Sequence, residues 1–156
     1  MTEIIENLSK NSKPYIHQID DLDDFNKVYA LLNHTSDMQE NNFYPMIDGK
    51  NCSSVESLFK EFAINFKFPD YFGENWAAFD ECMNDLDWLN CEKYVLFIKN
   101  FDQLLSREMH NEFEIFIDIL KTMVDEWATE RKYSLLSPNT ISFQVVIHSE
   151  KGIKDL

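Results

Sequence analysis

Apolar and polar positions along this chain follow two rhythms, and the switches between them outline its elements. Tyr15-Ile-His-Gln-Ile19 reads as a short strand. From about Asp23 to Asn33, Phe25, Val28, Tyr29 and Leu32 recur at helical spacing, and the acids before them suit a helix N-terminus. The polar segment His34–Asn42 reads as a loop. Phe43-Tyr-Pro-Met-Ile47 reads as a strand that Pro45 confines to an edge or a strand start, and Asp48-Gly49 as a turn. Ser53-Ser-Val-Glu56 has the pattern of a capping box, with the Ser53 hydroxyl expected to cap and Glu56 to reach back. Behind it Val55, Leu58, Phe59, Phe62 and Phe66 form the clearest amphipathic face in the chain. That helix is expected to stop near Phe68, because the residue before Pro69 resists helical geometry.

The second half continues the alternation. A helix is expected to start at the Gly73-Glu-Asn75 corner, capped by Asn75, with Trp76, Phe79, Cys82, Met83 and Leu86 on its inner face. Tyr94-Val-Leu-Phe-Ile98 is a continuous apolar run, as expected of a parallel strand covered on at least one side. Glu112 to about Arg131 reads as a long helix carrying Phe113, Phe116, Ile117, Leu120, Val124 and Trp127. A polar loop through Pro138-Asn139 leads to a last strand, Thr140 to Ile147. The order β-α-β-α-α-β-α-β predicts a parallel sheet with right-handed helical crossovers. Core strands are expected near 43–48, 93–99 and 140–148, with 13–19 as an added strand. One compact α/β unit at 43–148 is expected to carry an N-terminal extension, 1–42, packed on it as a strand and a helix. The polar tail 149–156 is expected to be loose.

Composition then narrows the function. The chain has 156 residues, 44% of them hydrophobic and 14% aromatic, which suffices for a sizeable core and excludes a disordered acidic tail. Its 28 acids against 14 bases leave a formal charge of −14, a surface that repels phosphate backbones and anionic lipid. Direct binding of nucleic acid or membrane is therefore not expected. Cys52, Cys82 and Cys91 are odd in number and lack CxxC spacing, so reduced thiols in a cytoplasmic protein are the simplest reading. No apolar segment opens the chain. His17, His34, His110 and His148 are scattered, with no nucleophile motif beside them, and phosphate-loop, dinucleotide and metalloprotease motifs are absent. The cluster Asp20-Asp21-Leu22-Asp23-Asp24 lacks the glycine and terminal glutamate of a calcium loop. Neither a catalytic centre, a metal site nor a cofactor is expected.

The helix after the corner stands apart. Asp80, Glu81, Asn84, Asp85 and Asp87 cover its outward side without an interleaved lysine or arginine. Like charges this dense are locally destabilising, which points to a role other than helix stability. Tyr71 and Phe72 at the corner add the aromatic anchors that interfaces favour. With Glu74, these residues suit a guanidinium-rich cleft, because carboxylates accept bidentate arginine bonds. The expected partner-binding set is Tyr71, Phe72, Glu74, Asp80, Glu81, Asn84 and Asp85.

Pro69-Asp-Tyr71-Phe72-Gly73-Glu-Asn75 and the Cys82-bearing helix resemble the signature loop and helix of the barstar family, intracellular proteins that plug the active sites of secreted ribonucleases. The likeness runs from Phe43 to Ile147. It takes in the strand ending Ile47-Asp48-Gly49-Lys50, the Ser-x-x-Glu helix, an apolar strand, a long helix and a C-terminal strand. The resemblance implies a three-stranded parallel sheet with helices packed on it and no enzymatic activity. It also implies inhibition through a 1:1 complex with a basic ribonuclease or other nuclease toxin. Carried across without gaps, the family's inhibitory tyrosine falls on Tyr71 and its principal aspartate on Glu81. The preceding inhibitory aspartate falls on Ala77 and the helix tryptophan on Asp80, two departures that bear on the target. A further acidic contact on the long helix falls on Thr122 or Asp125. The expected role is that of a cytoplasmic immunity protein. The alternative, favoured by Ala77, is a non-inhibitory interaction or regulatory module on the same scaffold.

Overall fold

Pro45, which has no N–H to give a sheet, divides the first strand of the central unit in two. The computed structural model describes residues 2–35, 41–129, 141–154 and 156. Its strands are β1 (Ile16–Ile19), β2 (Asn42–Phe43), β3 (Met46–Asp48), β4 (Lys93–Lys99) and β5 (Ser142–His148). They form one five-stranded sheet in the order β1-β5-β4-β2, with β3 also paired to β4. Every pairing is parallel, with Leu96 opposite Val145 and Ile47 opposite Ile98. The single strand expected at 43–48 is thus the pair β2 and β3 along one edge of β4. Between them the Pro45 carbonyl still accepts the Phe97 N–H at 2.9 Å.

Alternation along the strands sorts the core into two layers. Tyr94, Leu96 and Ile98 of β4, Phe143, Val145 and Ile147 of β5, and Ile47 of β3 face helices α3 (Val55–Asn65), α4 (Trp76–Asp85) and α5 (His110–Ala128). Val95, Phe97 and Val146 point the other way, beneath α1 (Thr2–Leu8) and α2 (Leu22–Thr35). The continuous apolar runs therefore mark strands buried on both faces. The extension 1–42 supplies β1, α2 and also α1, a helix not foreseen because only Ile4, Ile5 and Leu8 are apolar there. Leu8 is fully buried. Asp21 caps α2, its Oδ1 accepting the Asp24 N–H at 3.0 Å.

Local chemistry moves several boundaries. The cap of α3 is Ser54, not Ser53, and its capping-box partner is Ser57, not Glu56: Ser54 Oγ accepts the Ser57 N–H at 3.1 Å and Ser57 Oγ accepts the Ser54 N–H at 3.0 Å. Ser53 is taken elsewhere, its carbonyl accepting the Arg107 N–H, and Glu56 pairs with Lys60 on the exposed face. The same helix ends at Asn65, ahead of the expected stop at Phe68. Lys67 turns left-handed at φ 55° and the Phe68 N–H reaches back to the Ala63 carbonyl at 2.9 Å, a Schellman closure that folds Phe68 under the corner. The long helix starts at His110, two residues earlier than expected; Arg131, Pro138, Asn139 and Thr140 lie outside the described residues. After β5, Ser149 to Ile153 are held rather than loose. Asp102 accepts from the Ser149 hydroxyl at 2.5 Å and the Glu150 N–H at 3.0 Å, while the Ile153 N–H donates to Gln18 Oε1 at 2.8 Å.

Aromatic rings fill the larger layer. Phe79 on α4 lies within 5.0–6.2 Å, centroid to centroid, of Phe59, Phe62, Phe68, Trp76 and Phe116. Gly49 closes the turn after β3 for a different reason: a Cβ there would stand 2.1 Å from the Asn100 carbonyl oxygen. Two stability outcomes follow. Phe79→Ala should cost about 3–5 kcal/mol in chemical denaturation, against about 1–3 kcal/mol for the half-buried Trp76→Ala. A Phe79→Ala protein as stable as the parent would mean that α4 is rotated away from this packing. Gly49→Ala should cost about 3 kcal/mol, the upper range for overpacking, since backbone rather than a side chain must yield. A neutral result in the same denaturation assay would contradict that close approach.

Candidate functional site

The acidic surface begins at a corner built by two devices. The Phe72 N–H donates to the Pro69 carbonyl at 3.0 Å, closing a turn that leaves Tyr71 on its outside, 75% exposed. Asn75 then caps α4 as expected, its Oδ1 accepting the Ala78 N–H at 2.8 Å. The left-handed residue of the corner is Glu74, at φ 51°, rather than Gly73. Gly73 serves space instead, because a Cβ there would crowd the Asn75 amide at 3.2 Å. At the far end Leu86 terminates α4 in a left-handed conformation at φ 51°, strain held by the burial of its side chain.

Three indoles fix how α4 sits. Trp76 Nε1–H donates to Glu112 Oε2 at 2.6 Å and Trp127 Nε1–H to the Met83 carbonyl at 2.9 Å, tying α4 to α5 at both ends. Trp88 Nε1–H donates to the Phe66 carbonyl at 2.8 Å and holds the exit of α4 against the end of α3. With Phe79, Cys82, Met83 and Leu86 buried, the rotation of α4 is set. Glu74, Ala77, Glu81 and Asp87 are exposed, and Asp80, Asn84 and Asp85 half-buried at its sides.

The predicted residues do not all behave alike. Tyr71 is brought against Glu81, Asp85 and Asp87. Its phenol is pushed above its ordinary range by slight desolvation first and then by Asp85, Cys82, Glu81 and Asp87. Asp80 and Asn84 form a side-chain pair on the flank, Asn84 Nδ2–H donating to Asp80 Oδ1 at 2.8 Å. Glu74 stands at the opening of the helix. Phe72 turns inward, its ring 4.9 Å from Phe68 and 5.6 Å from Phe59, so it braces the corner from beneath. Among the described residues no cation pairs with Asp70, Glu74, Asp80, Glu81 or Asp85. From Phe68 to Glu92 the chain contains seven acids and no base. Asp70 and Asp87, left out of the predicted set, extend this surface; that unbroken absence of bases was the signal.

On α5 the two candidates separate. Glu112 marks the flank that touches α4, and at 100° per residue Thr122 lies about 80° from it and Asp125 about 140°. Asp125 lines a cleft with Lys13, Pro14, Tyr15, Ile16 and Leu156, beside the N-terminal strand. Thr122 is thus the candidate nearer the acidic surface.

The arrangement offers hydrogen-bond acceptors and no nucleophile. Burial, then Glu61 and Asp48, push the Cys52 thiol up to about 12, and burial, then Glu81 and Asp85, raise Cys82. Cys91 is raised by burial as well, and all three cysteines are buried and free. Thiols held protonated in this way are inert. Among the described residues no group of three or more His, Cys, Asp and Glu could hold a metal ion, and no described helix is long and apolar enough to cross a membrane.

No curated protein matches the chain. The Barstar family, described as barstar (barnase inhibitor), matches residues 43–146. The match begins in β2, ends in β5 and takes in the corner and the whole of α4, about two-thirds of the 156 residues. That family is one of inhibitors that act by binding a ribonuclease, a role compatible with a surface of free carboxylates on a rigid helix. The fold, the corner and the extent of the match together make this chain a member of the Barstar family.

Proposed function

We propose that this protein is a stoichiometric inhibitor of a basic nuclease, most simply a ribonuclease, and serves as an immunity protein in the cytoplasm. The observation that carries this reading is the acidic face of α4, which has no cation partner among the described residues, with Tyr71 at its edge. Free carboxylates on a helix held by three indole bonds are preorganised acceptors, so little is lost in ordering them when a cationic cleft arrives. Glu81, exposed and without a cation among the described residues, is suited to a bidentate arginine. Asp80 already accepts from Asn84 at Oδ1, which leaves its other oxygen fully open to a donor. Tyr71 contributes an amphipathic ring that buries area at low entropic cost. Nothing in this mode requires turnover by the inhibitor.

Ala77 supports a second reading. It is exposed in the middle of the acidic face, where the family resemblance places an aspartate, and leaves a flat apolar step between Glu74 and Glu81. A partner other than a nuclease on the same scaffold would account for that change. Titrating candidate basic nucleases encoded beside this gene separates the two readings. Activity lost at one equivalent supports inhibition, whereas tight binding with activity intact supports the second.

Substitutions on this face should leave stability within about 0.5 kcal/mol of the parent. Glu81→Ala should weaken the complex by on the order of 2–5 kcal/mol, the range for a desolvated charge pair, and Asp80→Ala by less. Calorimetric titration reads both, and unchanged affinity in the double variant would move the interface to another surface. Association should also be fast at low salt and slow steeply as the screening length falls from about 30 Å at 0.01 M to about 3 Å at 1 M. A stopped-flow on-rate indifferent to salt would remove electrostatic steering from the mechanism.

A further inference from the structure

The two faces of the sheet differ in a way that hydrophobic burial does not require. The face under α3, α4 and α5 is apolar, whereas the face under α1 and α2 contains His17, Gln144 and His148, each at most 6% exposed. Parallel register sets them side by side, with His17 next to Val146 and Ile19 next to His148.

Gln144 joins the N-terminal cover to the sheet. Its amide Nε2–H groups donate to the Lys10 carbonyl at 2.7 Å, in the turn after α1, and to the Leu8 carbonyl at 3.3 Å, which the end of the helix would otherwise leave without a partner. Those bonds orient the amide, so that Oε1 faces β1 and accepts from His17 Nε2–H at 2.8 Å. His17 is thereby held as the neutral Nε2–H tautomer, and acid can add a second proton only at Nδ1. α1 has few other attachments. At seven residues it is too short to persist as an isolated helix, and only Leu8 is fully buried beside the half-buried Ile4 and Ile5.

We propose that the buried His17 ring makes the N-terminal cover acid-sensitive: the bond to Gln144 survives protonation, but a charged ring 6% exposed and without a counter-charge must regain water, which releases α1 and residues 9–14 from the sheet while the α3–α4–α5 side stays folded.

The surroundings leave that charge uncompensated. Glu3 and Glu6 on α1 and Lys10 beyond it are exposed; on α2 Asp23 and Lys27 are exposed and Asp24 is half-buried at the Asp21 cap. The next titratable group along β5 is His148, whose Nδ1 accepts the Asn100 N–H at 3.0 Å and whose Nε2 lies 4.0 Å from Glu150 Oε1. At the strand ends Lys99 faces Asp48 at 3.8 Å. Burial lowers the pKa of His17 from 6.5, opposed by the Gln144 bond. The folded value lies below the released one, so the cover is fully attached above pH 6.5 and loosens as pH falls through it. The opening equilibrium then grows by up to about tenfold per pH unit until the lowered value is reached.

Hydrogen exchange followed by NMR, corrected for intrinsic rates and run from about pH 7.5 to about pH 5, tests this on the full chain. Opening constants for the amides of Glu6 to Lys10 should rise about tenfold per unit below pH 6.5. Those of Leu58 in α3 and Phe79 in α4 should stay flat, and His17→Gln should remove the α1 slope. A flat response at α1, a parallel opening of all three helices, or a slope that persists in His17→Gln would each overturn the proposal. Should His17→Gln fail to fold, the ring-nitrogen shifts of His17 in the parent protein decide the matter. They must begin as the Nε2–H tautomer and titrate in the window where α1 opens; any other tautomer or window overturns the proposal.

Discussion

The packing of Phe79 among five aromatic rings is the constraint on which the functional surface depends. A helix of ten residues has weak preferences of its own. Here its rotation is set because one large ring is enclosed by rings from α3, the corner, α4 itself and α5. The rings meet mostly edge-on, an arrangement with an angular preference beyond simple area burial. Once Phe79 is enclosed, Cys82, Met83 and Leu86 follow it inward. Ala77 and Glu81 are left exposed, with Asp80 and Asp85 half-buried beside them.

That anchoring explains how α4 tolerates its charge. Repulsion among neighbouring carboxylates costs a few tenths of a kcal/mol per pair, which Asn75 at the cap and the indole bonds to Glu112 and Met83 readily offset. Stability and the proposed recognition thus fall on opposite sides of one short helix. A surface substitution can change binding while leaving the fold intact, and a core substitution acts in the reverse manner.

The sheet shows a comparable division. Its larger layer, beneath α3, α4 and α5, coincides with the part of the chain matched by the Barstar family, which includes the corner and α4. The N-terminal extension lies outside that match and covers the second face, joined to it by the buried Gln144 amide and the His17 imidazole in addition to apolar contacts. Polar groups in such a place must be fully paired or costly. Attachment of the cover is therefore more conditional than the packing of the main layer.

Periodicity alone was enough to locate the four strand regions, the helices from Asp23 onward, the Asn75 cap and the inner face of α4, because apolar spacing and side-chain capping are local properties. The acidic face was legible for the same reason: seven acids without a base need no neighbours to be recognised. Other features depended on partners distant in sequence. Ser54 rather than Ser53 caps α3 because Arg107 claims the Ser53 carbonyl. Phe72 turns inward because Phe59 and Phe68 await it, and α1 is held on the sheet where Gln144, more than a hundred residues away, binds the Leu8 carbonyl at its end and the Lys10 carbonyl beyond it. A linear pattern records what each residue can do; which of the competing hydrogen bonds and ring contacts is made depends on what the fold places within a few ångströms.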